Sequence, residues 1–163
     1  MSCETRYAGQ QQQAGVILMT TKPERPSRRD FSWFHTLRVR WAEADPQGIV
    51  FNGNYFLYFD VALTEYWRAA GIRIPEDLTA DGSESFAVSA HADFYAPAVF
   101  DELIEIGVTL ERVGNSSATF RLGIFRGDEA LTGGRMIYAW ATTSLPRTPR
   151  PPPAVLIEKL RAF

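Results

Sequence analysis

Cysteine, lysine and histidine are nearly missing from this 163-residue chain. Its one cysteine, Cys3, sits in a polar stretch. An internal disulfide is therefore excluded, a cysteine nucleophile is poorly supported, and a reducing, cytoplasmic setting is the expectation. His35 and His91 are the two histidines, and neither has cysteines or an acidic cluster at ligand spacing, so no metal is expected. Lysine occurs only at Lys22 and Lys159, which leaves arginine to carry nearly all the positive charge. The formal charge of −2 gives no electrostatic reason to expect nucleic acid or an anionic membrane surface as a partner. Long apolar runs are absent too. Ala14-Gly-Val-Ile-Leu-Met19 is too brief to span a membrane and marginal as a signal-peptide core, and Met19 is itself a candidate translation start. A Gly-x-Ser-x-Gly elbow and the common glycine-rich phosphate loops are also missing.

What is present is a compact apolar pattern. Hydrophobic residues make up 45% of the chain and aromatics 13%, enough for one domain that buries roughly two-thirds of its unfolded surface. Residues 1–30 are polar and aperiodic, with a glutamine run from Gln10 to Gln13, and read as a disordered tail ahead of a domain spanning 31–163. Leu37, Val39 and Trp41 alternate with polar residues as a half-buried strand does. After the turn Asp45-Pro-Gln-Gly48, a helix is predicted from Asn54 to Ala70, stopped by Gly71. Phe56, Phe59, Leu63 and Trp67 line one helix face, with Tyr55, Tyr58, Ala62 and Tyr66 as a second apolar flank. A helix this apolar around its girth must be wrapped. Four alternating segments supply the wrapping, carried by Phe86 to Phe94, Ile104 to Leu110, Ala118 to Ile124 and Met136 to Trp140. The fold class is thus α+β, a five-stranded, mainly antiparallel sheet around one long central helix. Pro146 to Pro153 should form a stiff extended segment, and Val155 to Leu160 a short amphipathic end that docks back.

With serine, cysteine and metal chemistry unsupported, carboxylate chemistry remains. On its own, Asp-Pro-x-Gly is good type I turn composition, with the aspartate bonding its own backbone. The residues after Asp45 change its prospects: an apolar wall, Ile49-Val-Phe51, and then a helix start at Asn52-Gly-Asn54. Unpaired N–H groups at a helix start, with the dipole behind them, stabilise a negative oxygen. A carboxylate and an oxyanion site in one loop suffice to attack an acyl carbonyl.

The run from Asp45 to Tyr55, with Tyr58-Phe-Asp60 and Glu65 in the helix, resembles the hotdog-fold acyl-CoA thioesterases, specifically the 4-hydroxybenzoyl-CoA thioesterase family and its YbgC-like relatives. Asp93-Phe-Tyr95-Ala-Pro97-Ala-Val-Phe-Asp101 and Val113-Gly-Asn-Ser-Ser117 are similar to later signatures of that family, and the likeness runs from Phe31 to the C-terminus. It implies that Asp45 is the catalytic nucleophile or general base. It also implies that backbone N–H groups at Asn52, Gly53 and Asn54 polarise the thioester carbonyl, and that Ser85 and Ser89 contact the acyl pocket. Tyr55, Phe59 and Trp67 are read from their helix positions as candidates to shape that pocket, although aromatics at this spacing are usually core. Coenzyme A would enter only as part of the substrate, with no further cofactor, and the active sites would lie between the subunits of a homodimer or homotetramer. Relatives carry histidine or tyrosine where this chain has Asn52.

Other candidates read more plainly. Glu65 is expected to pair with Arg68 on the helix surface rather than serve as a helix-borne catalytic acid. His91 and Asp93 share a strand face that suits a surface or subunit contact. Arg112, Arg121, Arg126 and Arg135 are candidates for the coenzyme phosphates, but each also reads as a solvated strand residue. The alternative to a thioesterase is a catalytically silent hotdog module that binds an acyl thioester or a protein partner, for which Asn52 is the best support. A hotdog hydratase is less well supported, since it needs a neighbouring Asp/His pair in another motif.

Overall fold

The computed structural model describes residues 24–163. Cys3, the glutamine run, Met19 and Lys22 lie outside the described residues. The described chain forms, in order, β1 (Trp33–Arg38), α1 (Asn54–Ala69), β2 (Ser83–Phe94), β3 (Leu103–Val113), β4 (Ser117–Arg126), β5 (Glu129–Thr142), β6 (Pro149–Arg150) and α2 (Ala154–Ala162). The strands make one antiparallel sheet in the spatial order β1-β3-β4-β5-β2, and the two-residue β6 joins β5. This is the expected architecture with one short strand added inside the proline-rich segment. No helix among the described residues is long and apolar enough to cross a membrane.

α1 lies against the sheet's inner face. Tyr55, Tyr58, Phe59, Ala62, Leu63, Tyr66 and Trp67 are buried, the i, i+3, i+4 set that helical periodicity dictates. They meet Ile104, Ile106, Val108, Phe120, Leu122 and Ile124, which are 0% exposed, and Met136, Tyr138 and Trp140 from β5. The helix stops as predicted. Gly71 takes φ +72°, with Gly71 N–H donating to Arg68 O and Ile72 N–H to Trp67 O, the paired bonds of a Schellman end. α2 docks back through Leu156, Ile157 and Leu160. Its Lys159 donates to Gly71 O at 2.7 Å and to the buried Asp77 carboxylate at 2.5 Å, which also accepts from Arg73 at 2.7 Å.

Two strands depart from the simple alternation. β1 ends at Arg38, because Arg40 to Glu43 close a tight 3-10 turn in which Arg40 N–H donates to Glu43 Oε2 at 2.7 Å. Trp41 is therefore not a buried strand residue. It is 75% exposed and stands edge-on to Phe100. β2 carries a bulge between Ala87 and Ser89. Phe86 lies opposite Ala139 and Ala90 opposite Met136, and positions three apart on β5 point to opposite faces. The row from Phe86 to Phe94 thus does not share one face.

The sheet's outer face is also covered. Gly107, Gly123 and Gly133 are paired in register across β3, β4 and β5. Phe31 lies over the first two, so a Cβ on Gly107 would sit 2.5 Å from the Phe31 ring, and Pro26 lies over Gly133. Arg28 ties this arm down by a 2.7 Å bond to Glu105 while stacking over Phe34, and Arg121 holds Asp30 at 2.9 Å. Pro26, Arg28 and Asp30 therefore pack against the sheet ahead of Phe31.

Candidate active site

The site is built where the loop after β1, the start of α1 and the end of β2 meet. A cavity of about 510 Å³ there is lined by Asp45, Phe51, Asn52, Tyr55, Phe94 and Pro97, among others. Asp45 is half-buried at its rim. It adopts the turn its composition predicts: Gly48 N–H donates to Asp45 O at 2.9 Å and Gln47 N–H to Asp45 Oδ1 at 2.7 Å. Among the described residues nothing bonds Oδ2, so the turn holds the carboxylate by one oxygen. The plain turn reading is met by these two bonds.

At the helix start, Asn54 N–H donates to Phe51 O at 2.9 Å, while Tyr55 N–H and Phe56 N–H donate to Asn52 O and Gly53 O. Among the described residues the N–H groups of Asn52 and Gly53 have no acceptor. They lie at the positive end of the 16-residue helix dipole. Asn54 is corrected by this accounting. Its backbone N–H is taken, and its side-chain Nδ2 donates to Glu43 O at 2.9 Å, so it braces the loop instead of facing the cavity. The Phe51 ring closes over Gly53, where a Cβ would lie 3.0 Å from Cε1.

Tyr55 forms a cavity wall as expected. Its hydroxyl accepts Ala98 N–H at 2.9 Å and its ring meets Phe94 at 5.1 Å between centroids. Burial pushes the Tyr55 hydroxyl's pKa up, so it stays a neutral phenol. The far wall, Phe94 to Pro97, is clamped from behind by Arg126, which donates to Pro97 O at 2.9 Å and pairs with Glu102.

Three expected substrate contacts fall elsewhere. Phe59 is 0% exposed and fills the space above Gly134, where a Cβ would come within 2.4 Å of its ring, so it belongs to the core. Ser85 and Ser89 sit opposite Trp140 and Ile137, hence on opposite faces across the bulge, and neither lines the cavity. Glu65 pairs with Arg68 on the helix surface. His91 and Asp93 bond each other at 3.0 Å on the outer face, beside Arg121 and Arg135, away from Asp45. Arg121, Arg126 and Arg135 are each engaged by acids. Among the described residues no three His, Cys, Asp or Glu side chains gather as a metal site.

Sequence reasoning missed Glu43, a 6% exposed carboxylate two residues before Asp45. It accepts from Arg40 Nε at 2.6 Å and from the Tyr58 hydroxyl at 2.7 Å. Burial alone would raise its pKa, but these donors, with Arg40 N–H, hold it below the ordinary carboxylate range. Burial and the same contact drive the Tyr58 hydroxyl upward. The one signal in the sequence was Arg40 three residues before Glu43, a spacing that also fits an ordinary surface pair.

A hotdog-type sheet around one long helix is the architecture of a class of thioesterases, and the comparisons with known proteins agree. Residues 47–132, just over half of the chain, match the family model described as the thioesterase superfamily. The chain belongs to that family and is a thioester hydrolase. A curated protein of Aquifex aeolicus (strain VF5), carrying a provisional esterase name, is 34% identical over 95 residues, 58% of this chain and 73% of its own length. A solved Pseudomonas aeruginosa PAO1 protein is 28% identical with a TM-score of 0.72, covering 85% of this chain and 96% of that one. A 4-hydroxybenzoyl-CoA thioesterase variant crystallised with 4-hydroxybenzoyl-CoA shares the fold at 20% identity, with a TM-score of 0.67 over 78% of this chain and 97% of that one.

Proposed function

We propose that this chain hydrolyses a small, medium or aromatic acyl-CoA to the free acid and CoA, using Asp45 and the start of α1. The observation that carries this reading is one aromatic-walled cavity shared by a carboxylate with a free oxygen and a helix start with unpaired N–H groups. Asp45 takes a proton from water, and the resulting hydroxide attacks the thioester carbonyl. In the covalent variant of the scheme, Asp45 attacks directly and water then cleaves the anhydride. Either way the carbonyl oxygen gains negative charge beside Asn52 and Gly53 N–H. The C–S bond then breaks and CoA leaves as a thiolate that takes up a proton. One preorganised donor of this kind is typically worth ~10²–10³ in rate. Asn52 keeps the backbone donor that the mechanism uses, whatever its side chain.

The walls formed by Phe51, Tyr55 and Phe94 and a volume of about 510 Å³ suit a compact or aromatic acyl group better than a long flexible chain. The 4-hydroxybenzoyl-CoA bound by a structural relative points the same way. Coenzyme A enters as part of the substrate, and the reaction invokes no further cofactor. The reading includes a cytoplasmic homodimer or homotetramer joined along β2, whose free edge exposes Val88 at 59% and Phe94 at 49%.

The test is free-thiol release across short aliphatic, long aliphatic and aromatic CoA esters. Asp45→Asn should lower turnover by roughly 10³-fold or more while leaving CoA-ester binding within a few-fold. Retained turnover in that variant removes Asp45 from the mechanism, and no release from any ester favours a binding module.

A further inference from the structure

We infer that Glu43 is the positioning residue of this site: with Tyr58 and Asn54 it latches the Asp45 loop to the first turns of α1. The inference rests on the proposed thioesterase reading of the site. Asp45 N–H donates to Ile49 O at 2.8 Å and Ala44 bridges Val50, so the loop is closed on itself as far as Val50, and Glu43 carries the hold onward to Asn52 and Gly53. Glu43 joins loop and helix from both ends. Its backbone carbonyl accepts Phe51 N–H at 3.0 Å and Asn54 Nδ2 at 2.9 Å, which fixes the residues flanking the oxyanion donors. Its side chain accepts the Tyr58 hydroxyl at 2.7 Å, one helical turn further along α1. Arg40 satisfies the remaining lone pairs through Nε at 2.6 Å and N–H at 2.7 Å. The carboxylate is thus buried, fully partnered and aimed at the helix, not at the cavity, whose lining does not include it.

A residue only two places before the reacting carboxylate, bonded to the helix that supports the developing charge, sets the distance over which the thioester must fit. Displacing catalytic groups by about 1 Å can cost on the order of 10² in rate without loss of binding. Glu43 touches no substrate, so its effect should fall on turnover and not on ester affinity. Glu43→Gln keeps the shape but turns a donor toward the Arg40 and Tyr58 donors, and Tyr58→Phe removes a single hydroxyl.

The experiment measures kcat and KM for the best ester, melting temperature, and amide hydrogen exchange over residues 45–54 in the parent chain and both variants. We expect kcat to fall roughly tenfold to 10²-fold with KM within about threefold. Exchange over 45–54 should rise, and Tyr58→Phe should add little in the Glu43→Gln background, because the two act through one bond. If Glu43→Gln does not fold, Tyr58→Phe and Asn54→Ala carry the comparison. Unchanged kcat overturns the inference, as does a kcat loss with unchanged exchange over 45–54. If the parent chain releases no thiol from any ester, the functional reading fails separately. Exchange then decides the latch alone, and no increase over 45–54 overturns it.

Discussion

Asp45 and Glu65 are the two acids on which a hydrolytic mechanism could turn, and their surroundings separate them. Asp45 lines a walled cavity and is bonded through one carboxylate oxygen, while Glu65 is held by Arg68 on the open side of α1. Glu65→Gln should therefore leave kcat within about twofold of the parent, since an exposed i,i+3 pair contributes only a few tenths of a kcal/mol. A collapse of turnover in that variant, measured beside Asp45→Asn, would move the chemistry to the helix. Much of this site was legible in the sequence, because Asp-Pro-x-Gly followed by a helix start is a local signal. Phe59 was not legible. Its helical spacing cannot tell a pocket wall from core, and the glycine that receives it, Gly134, is 75 residues away in the chain. Glu43 was hidden for the same reason, since its deciding partner, Tyr58, looked like one more apolar helix residue.

At the scale of elements, α2 is fastened to the end of α1 by one buried acid. The Asp77 carboxyl is held well below the ordinary aspartate range, first by the Arg73 guanidinium, then by Arg73 N–H and the Lys159 ammonium. A depressed folded-state pKa means that this stabilisation is present above the unfolded aspartate value of about 4 and is lost as pH falls below it. Asp77→Asn should lower the melting temperature at pH 7 and show a flatter decline from pH 5 toward pH 2 than the parent. Parallel curves would assign the acid sensitivity to other carboxylates. The helices and β3 to β5 were readable because the stretches Ile104 to Leu110, Ala118 to Ile124 and Met136 to Trp140 lie clear of the register shifts at Leu110/Arg112 and at Thr132/Ala130. β2 was readable only in part, because a single extra residue at the bulge exchanges its faces. The end of β1 was misread because the Arg40 to Glu43 turn outweighs the alternation through Val39 and Trp41.

For the whole molecule, the sheet has two unequal borders. β1 is short, whereas β2 runs for 12 residues with its outward edge unpaired among the described residues, and Phe51, Val88 and Phe94 stand exposed. Such an edge invites a second copy of the chain. Light scattering at micromolar concentration should return at least twice the chain mass. A Val88→Lys change should shift the equilibrium toward single chains, and a monomeric parent would refute pairing at this edge.

The arm from Glu24 to Phe31 has a bearing on stability. A row of three glycines leaves a strip of the sheet without side chains of its own, so its backbone is shielded from water only by what is laid over it. Phe31 and Pro26 cover that strip from within the same molecule. Trimming the chain back to the first strand should uncover it, and a lower melting temperature in the shortened chain is the expected mark of that lost cover.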